Sequence, residues 1–313
     1  MTTAFIFPGQ GSQAVGMGKG LCDASPAARA VFEEVDEALN QKLSRLMFEG
    51  PEAELTLTAN AQPAIMAVGI AALSVLEKEG GLRLSEKAAF VAGHSLGEYS
   101  ALSAAQSFTL AETARLLRIR GDAMQAAVPP GEGAMAAILG LDRDQVEKVA
   151  AQASTADEIV AAANDNAPGQ VVISGHAAAV ERAIGLAKAA GARRAMPLAV
   201  SAPFHCALMQ PAADVMEKAL AEARLVSPLA PLVANVTAAP VTDPDMIRRL
   251  LVEQVTGMVR WRESVEALAG LGVTRFVEFG GKVLGPMVKR ILPDAETLSL
   301  VTMEDAEAVA KAL

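Results

Sequence analysis

Short apolar runs that end on glycine recur along this chain and alternate with stretches of helical periodicity. Residues 4–7 run into Pro8-Gly9, residues 88–92 into Gly93, and residues 275–279 into Gly280-Gly281. Strands alternating with helices in this way build βα units, so the runs predict a mainly parallel sheet. Apolar residues make up 52% of the chain and aromatics only 4%, so the core around that sheet must consist largely of Ala, Val and Leu.

The middle of the chain follows another pattern. After Pro129-Pro130-Gly131 the residues read as strand 134–139, helix 143–153, strand 159–163, strand 170–174, helix 177–190 and strand 194–200. That βαββαβ order is the ferredoxin-like arrangement, with Asn166-Ala167-Pro168-Gly169 as the turn between its middle strands. The expected fold class is therefore α/β, in two parts. A larger α/β-hydrolase-like domain with a mainly parallel sheet (1–128 and 204–313) is interrupted by a ferredoxin-like subdomain (129–203).

Charge and cysteine content narrow the function classes. The formal charge of −9 disfavours a nucleic-acid partner, because neutralising phosphates needs a basic surface. Small anions remain within reach of single arginines. Cys22 and Cys206 are the only cysteines, too few for a disulfide framework or a cysteine-based zinc site, and each reads as a small buried side chain. No metal is expected. The first seven residues show no basic segment leading into an apolar one, and the longest apolar run, at about 65–76, is too short to span a bilayer. The expectation is a cytoplasmic protein with no membrane partner.

Gly93-His94-Ser95-Leu96-Gly97 fits the G-x-S-x-G nucleophile elbow, in which a sharp strand-to-helix turn projects a serine hydroxyl. The pattern is short, and an ordinary turn serine also fits it. Its context favours the nucleophile: an apolar run precedes it, and 98–105 reads as a helix directly after. A serine hydroxyl needs a base within hydrogen-bond reach. Of three histidines, His94 adjoins the serine, where its side chain points away and can form a pocket wall; His176 opens a subdomain helix, where surface capping suits it. His205 remains as the candidate base, the alternative being a packed core histidine; unperturbed, it is largely neutral at cellular pH. An oxyanion needs backbone N–H donors. Leu96 supplies one, and the glycine-punctuated loop Pro8-Gly9-Gln10-Gly11-Ser12-Gln13 can supply another, or can be a phosphate-binding turn or a plain loop.

Arg120 can be placed by helical geometry. Thr109 and Glu112 form a capping-box pattern opening a helix that runs to about residue 127. At 100° per residue Arg120 falls among Leu116, Leu117, Ala123 and Met124, while Arg115, Arg118 and Asp122 share the opposite face. An inward guanidinium needs an anion, because an unpaired buried charge costs on the order of 3–5 kcal/mol. That anion is either a structural carboxylate, the commoner case for an inward arginine, or a substrate carboxylate, which the planar fork would bind bidentately and so select a carboxylated acyl group.

With these residues in hand, the chain resembles the malonyl-CoA:acyl carrier protein transacylases, the discrete acyltransferases of dissociated fatty-acid synthesis. The resemblance covers essentially the whole length. It rests on Phe7-Pro8-Gly9-Gln10-Gly11-Ser12-Gln13, Gly93-His94-Ser95-Leu96-Gly97-Glu98-Tyr99-Ser100, Arg120-Gly121, Gly133-Ala134-Met135-Ala136-Ala137, the stretch from Asn166 to Gly175, and His205-Cys206-Ala207-Leu208-Met209. It implies a ping-pong reaction: malonyl-CoA acylates Ser95, CoA leaves, and the phosphopantetheine thiol of holo-acyl carrier protein takes the malonyl group, with His205 as base. It further implies an oxyanion hole from the amides of Gln10 and Leu96, an Arg120 that clamps the malonyl carboxylate, and a main-chain carbonyl at Gln254 that orients the histidine. Phe204 looks like the residue linked in relatives to accepting malonyl over bulkier acyl groups. No cofactor is implied beyond the CoA thioester substrate and the partner's phosphopantetheine, and the chain is expected to act as a monomer.

Two departures accompany the resemblance. Gly280-Gly281-Lys282 stands where relatives often show Gly-Pro-Gly-Lys, which leaves that turn open. Carrier proteins are acidic and so is this chain, so docking needs a local basic patch, for which Arg193, Arg194, Lys289 and Arg290 are candidates on charge alone. Competing readings share Ser95 and His205: a malonyl transferase of a polyketide or malonate decarboxylase system, a serine thioesterase that has no need of Arg120, or a noncatalytic carrier-binding module.

Overall fold

A computed structural model describes all 313 residues. Ten strands form two sheets: β1 (Thr2–Phe7), β2 (Phe90–Gly93), β3 (Gly133–Leu139), β4 (Val160–Ala167), β5 (Gln170–His176), β6 (Arg194–Pro197), β7 (Leu232–Ala234), β8 (Ala239–Val241), β9 (Val273–Phe279) and β10 (Glu296–Leu300). The first sheet has the order β10-β9-β1-β2-β7-β8. Its strands are parallel except for β8, which runs antiparallel to β7 at one edge. Strand side chains alternate between faces, and here both faces are buried. Phe5, Phe7, Val91, Val277 and Phe279 join a core of 58 residues on one side. Ala4, Ile6, Ala92, Val233 and Phe276 join 13 residues on the other. That double burial is why these strands read in sequence as continuous apolar runs.

The second sheet has the order β4-β5-β3-β6 with every pair antiparallel. With helices Arg143–Ala153 and Ala177–Ala189 it makes the βαββαβ arrangement. Ala136, Ile138, Val171 and Ile173 face those helices within a core of 15 residues. Met135, Ala163 and Val172, at the alternate positions, belong to the 58-residue core of the parallel sheet. The inserted sheet is thus fused to the larger core through one face.

Several boundaries differ from the expectations. β4 continues through Asn164, Asp165 and Asn166 to Ala167 by way of two register shifts, and the expected four-residue turn narrows to Pro168-Gly169, with Gly169 at φ 68°. β6 stops at Pro197, four residues into the stretch read as strand. β7, β8 and β10 escaped the sequence reading, the first two because three residues carry no usable period. The turn at Gly280-Gly281 is tied down by the buried Glu278 carboxylate, which accepts from the N–H groups of Val283, Leu284 and Gly285 at 2.8–3.0 Å.

Helix Thr58–Lys78 is long and apolar enough to cross a membrane by length and composition, yet most of that stretch is buried within the protein. It packs against the Arg120 helix, Leu110–Ala126. Gly121 permits the approach, since a Cβ there would lie 2.8 Å from the Thr58 carbonyl oxygen. The capping box expected at the start of Leu110–Ala126 is half made. Thr109 Oγ1 accepts from the Glu112 N–H at 3.2 Å, whereas the Glu112 carboxylate accepts from the Arg224 N–H.

Candidate active site

The carboxyl ends of β1 and β2 meet at the elbow, the usual place for a site in an open parallel sheet. Space there is too small for side chains at two positions. A Cβ on Gly93 would lie 1.9 Å from the Gly97 carbonyl, and one on Gly97 would lie 2.2 Å from the Phe7 carbonyl oxygen. Between them Ser95 has φ 55°, a left-handed conformation that is costly for a residue with a Cβ. Asn235 holds it there: its Oδ1 accepts from the Ser95 N–H at 2.8 Å and its Nδ2 donates to the Gly93 carbonyl at 2.7 Å. The strain is thus over-determined by neighbours, and the hydroxyl stands in a cavity of about 320 Å³.

His205, which also has a positive φ of 59°, brings its Nε2 to 2.8 Å from Ser95 Oγ. Its Nδ1 faces two carbonyl oxygens, Gln254 at 2.9 Å and Gly257 at 3.1 Å. Two acceptors at Nδ1 place the proton there, leaving Nε2 to accept from the serine hydroxyl. Burial first, and the Arg120 charge second, push the imidazole down to about 3. It is therefore neutral at cellular pH.

Arg120 is 2% exposed and lines the same cavity. Its Nη1 donates to Gln62 Oε1 at 2.8 Å, and its Nη2 donates to Gln254 Oε1 at 2.8 Å and to Ser95 Oγ at 3.2 Å. Every partner is neutral, and Nε has none. The ring of Tyr99 lies 5.7 Å beneath the guanidinium, a favourable place for a cation. The sequence left open a structural or a substrate carboxylate as the partner; within the protein two amides cradle the charge and no carboxylate pairs with it directly. The Gln62 amide passes the contact on, donating to Thr58 Oγ1 at 2.9 Å, which donates to Gln10 Oε1 at 2.9 Å.

The other candidates fall in place around these three. The N–H groups of Gln10 and Leu96 donate no hydrogen bond within the protein, and both residues line the cavity. Phe204 is a buried wall of it, and Met124 and Met135 are others. His94 is a wall too; its Nε2 lies 2.8 Å from Asn166 Oδ1 at the end of β4, and burial lowers its pKa. His176 occupies the first position before helix Ala177–Ala189 but makes no capping bond; its Nδ1 accepts from the Ile159 N–H. Cys206 is buried and Cys22 partly so. The basic candidates are exposed. β3 pairs Leu139 with Arg194 on one side and Gln170 on the other, and Arg290 donates to Gln170. Arg194 and Arg290 thereby stand at one end of the inserted sheet, beside Leu139 at the close of β3.

Four groups of the site had no signal in the sequence: Gln62, Asn235, the Gly257 carbonyl and the side chain of Gln254. Glu98 stood in a quoted motif without a role. Each acts through contacts between distant parts of the chain, which no local pattern records.

Residues 4–281 match the acyl transferase domain family. The malonyl CoA-acyl carrier protein transacylase of Bacillus subtilis is 47% identical over 305 residues, covering 97% of this chain and 95% of the relative. Among solved structures, the acyl-carrier-protein-S-malonyltransferase of Bartonella henselae superposes with a TM-score of 0.97 at 54% identity, covering 100% of this chain and 99% of the other. A malonyl-transacylase solved in complex with its type II PKS acyl-carrier protein gives 0.96 at 40% identity, covering 100% of both chains. With a serine hydroxyl, a neutral imidazole and a buried cation converging on one cavity, and this likeness along its whole length, the chain belongs to the malonyl CoA-acyl carrier protein transacylases of the acyl transferase domain family.

Proposed function

We propose that this chain moves a malonyl group from malonyl-CoA to the phosphopantetheine thiol of an acyl carrier protein through a malonyl ester on Ser95. One observation carries the reading: a buried guanidinium with only neutral partners stands 3.2 Å from the nucleophile and faces the cavity. Leaving such a charge without a counter-ion costs several kcal/mol. In a short 1,3-diacid the free carboxylate lies two bonds from the reacting carbonyl carbon. An anion-binding group beside the serine therefore receives that carboxylate while the carbonyl is attacked. Acetyl groups lack it, and lipid esters have nothing to offer the cation.

In the first half-reaction Ser95 Oγ attacks the thioester carbonyl carbon as His205 Nε2 takes its proton. The negative charge on the carbonyl oxygen is received by the unbonded N–H groups of Gln10 and Leu96. The C–S bond breaks, and CoA leaves as a thiol with the proton that His205 returns. In the second half the carrier thiol gives its proton to His205 and attacks the ester. The C–O bond breaks and Ser95 regains its proton. Ser95 carries the acyl group and His205 the proton, so the reaction needs no metal or cofactor of the enzyme's own. A carboxylate on Arg120 also offsets the second-largest of the pressures that hold His205 down, so the substrate selected by Arg120 makes the base stronger. Phe204 and the two methionines close the space around the acyl group against bulkier ones.

The end of the inserted sheet carrying Arg194 and Arg290 is the face we assign to an acidic carrier, with Arg193 and Lys289 beside them. All catalytic groups come from one chain, and the monomer is taken as the working unit. Because its reactants are CoA thioesters and carrier proteins, the enzyme is placed in the cytoplasm. A polyketide carrier is the second reading, since one of the similar structures is described with a type II PKS carrier protein; it changes the acceptor and leaves the chemistry as written.

Intact mass spectrometry tests the proposal. The protein is mixed with malonyl-CoA and then with holo-acyl carrier protein, with Ser95→Ala as control. A malonyl adduct that requires Ser95 and moves to the carrier is expected. An adduct lost to water with the carrier unmodified would point to a thioesterase, and no adduct at all to another acyl group.

A further inference from the structure

Glu98 takes no part in the reaction above, although it follows the elbow directly. It is 1% exposed, and one of its carboxyl oxygens has no hydrogen-bond partner. The other accepts from Gln254 Nε2 at 2.7 Å and from the Asn235 main-chain N–H at 3.2 Å. These two partners are the residues that hold Ser95. Asn235 accepts from the Ser95 N–H, and Gln254 Nε2 also donates to the Ser95 carbonyl at 2.9 Å. Gln254 does more: its Oε1 accepts from Arg120 and its main-chain carbonyl from His205 Nδ1. One residue thus touches the nucleophile, the base and the cation, and its side chain is held from behind by Glu98.

An amide side chain presents an acceptor at one end and a donor at the other, so its orientation is set by what each end meets. Turned round, Gln254 would press its NH₂ on the guanidinium and its oxygen on the carboxylate. We infer that Glu98 is a positioning residue for malonyl transfer: by holding the Gln254 amide and the Asn235 backbone it fixes the separation of Arg120 from Ser95 Oγ. The role is geometric. Burial raises the Glu98 carboxyl to about 7, so the group is partly protonated under working conditions, and an acceptor oxygen at the right reach is what either protonation state supplies.

The inference rests on the malonyl reading, and two conservative changes test it. Glu98→Gln keeps a carbonyl oxygen at the same reach and loses the charge; Glu98→Asp keeps the charge and withdraws the oxygen by one methylene. We would measure kcat/KM for malonyl-CoA and acetyl-CoA together with thermal midpoints. The malonyl-to-acetyl ratio is expected to stay within about threefold of the parent in Glu98→Gln. In Glu98→Asp it is expected to fall about tenfold, the malonyl loss being on the order of 100-fold, as for an ångström-scale misplacement. An unchanged ratio in Glu98→Asp overturns the inference, as does a fall in Glu98→Gln, which would mean that charge is what matters. Should Glu98→Asp be too unstable to assay, Gln254→Leu must show the same fall in ratio, since it lacks the amide that Glu98 holds but keeps the carbonyl on His205; an unchanged ratio there also overturns it. A parent enzyme with no preference for malonyl would overturn the function instead.

Discussion

The two sheets of this protein bury both of their faces by the same alternation, yet only one of them carries the chemistry. In the parallel sheet all but one strand end at the same edge, so the loops after β1 and β2 open into one crevice. In the antiparallel sheet successive strand ends point opposite ways, and it lends the cavity only walls such as Met135, Asn164 and the chain after β6. The difference extends to composition. Val146, Val149, Val171 and Ile173 make a dry layer over the subdomain helices. Behind the elbow, Thr58, Gln62, Glu98, Arg120, Asn235 and Gln254 are buried and polar. Apolar layers tolerate change in graded steps, whereas a buried polar network stands or falls with each partner.

That contrast can be broken most directly at Arg120. Arg120→Ala should lower malonyl kcat/KM by about 10³-fold, or ~4 kcal/mol, with acetyl transfer spared or raised relative to it. Equal losses with both substrates would make Arg120 a structural residue and erase the distinction. The reciprocal change lies in the dry layer. Ile173→Ala, at a fully buried position, should cost about 2–5 kcal/mol of stability and lower the denaturation midpoint, while malonyl kcat/KM at low temperature stays within about twofold. A large kinetic effect there would show that the subdomain does more than wall the site.

Smaller changes sharpen the picture. Gln62→Leu leaves a buried guanidinium N–H without its partner, a loss of about 1–3 kcal/mol, and should reduce malonyl kcat/KM on the order of tenfold. Thr58→Val cuts the link to Gln10 and should slow malonyl and acetyl transfer alike, because the oxyanion serves both; a malonyl-specific loss would put Thr58 with the cation.

The smallest effect is one of pH. Native Glu98 holds a proton up to about 7 against an ordinary value of 4.5, so its contribution to stability is lost as pH rises between those values. Native His205 refuses one down to about 3 against 6.5, so its contribution is lost as pH falls between those. From pH 4.5 to 6.5 the two oppose each other. Glu98→Gln removes one slope, and its unfolding free energy should rise with pH over that window more steeply than the parent's, by at most about 1.4 kcal/mol per pH unit. Parallel curves would mean that Glu98 itself titrates at its ordinary value.

Much of this could be read along the chain. The elbow around Ser95, the glycine-ended strands and the inward face of Arg120 are written in spacings of two to seven residues, and a strand or helix is itself periodic over that range. The βαββαβ order was equally legible, apart from the extension of β4 and the early end of β6, where bulges and pairing partners decide the limits. What only the tertiary structure decided is who meets whom. Arg120 is received by Gln62 and Gln254, 58 and 134 residues away; Ser95 is clamped by Asn235, 140 residues on. The sequence could say that a buried cation needs an anion. That the protein surrounds it with amides and leaves the charge open to the cavity follows from contacts between distant segments, which leave no period in the sequence because they form only when the sheet, the helices and the returning chain close on one another.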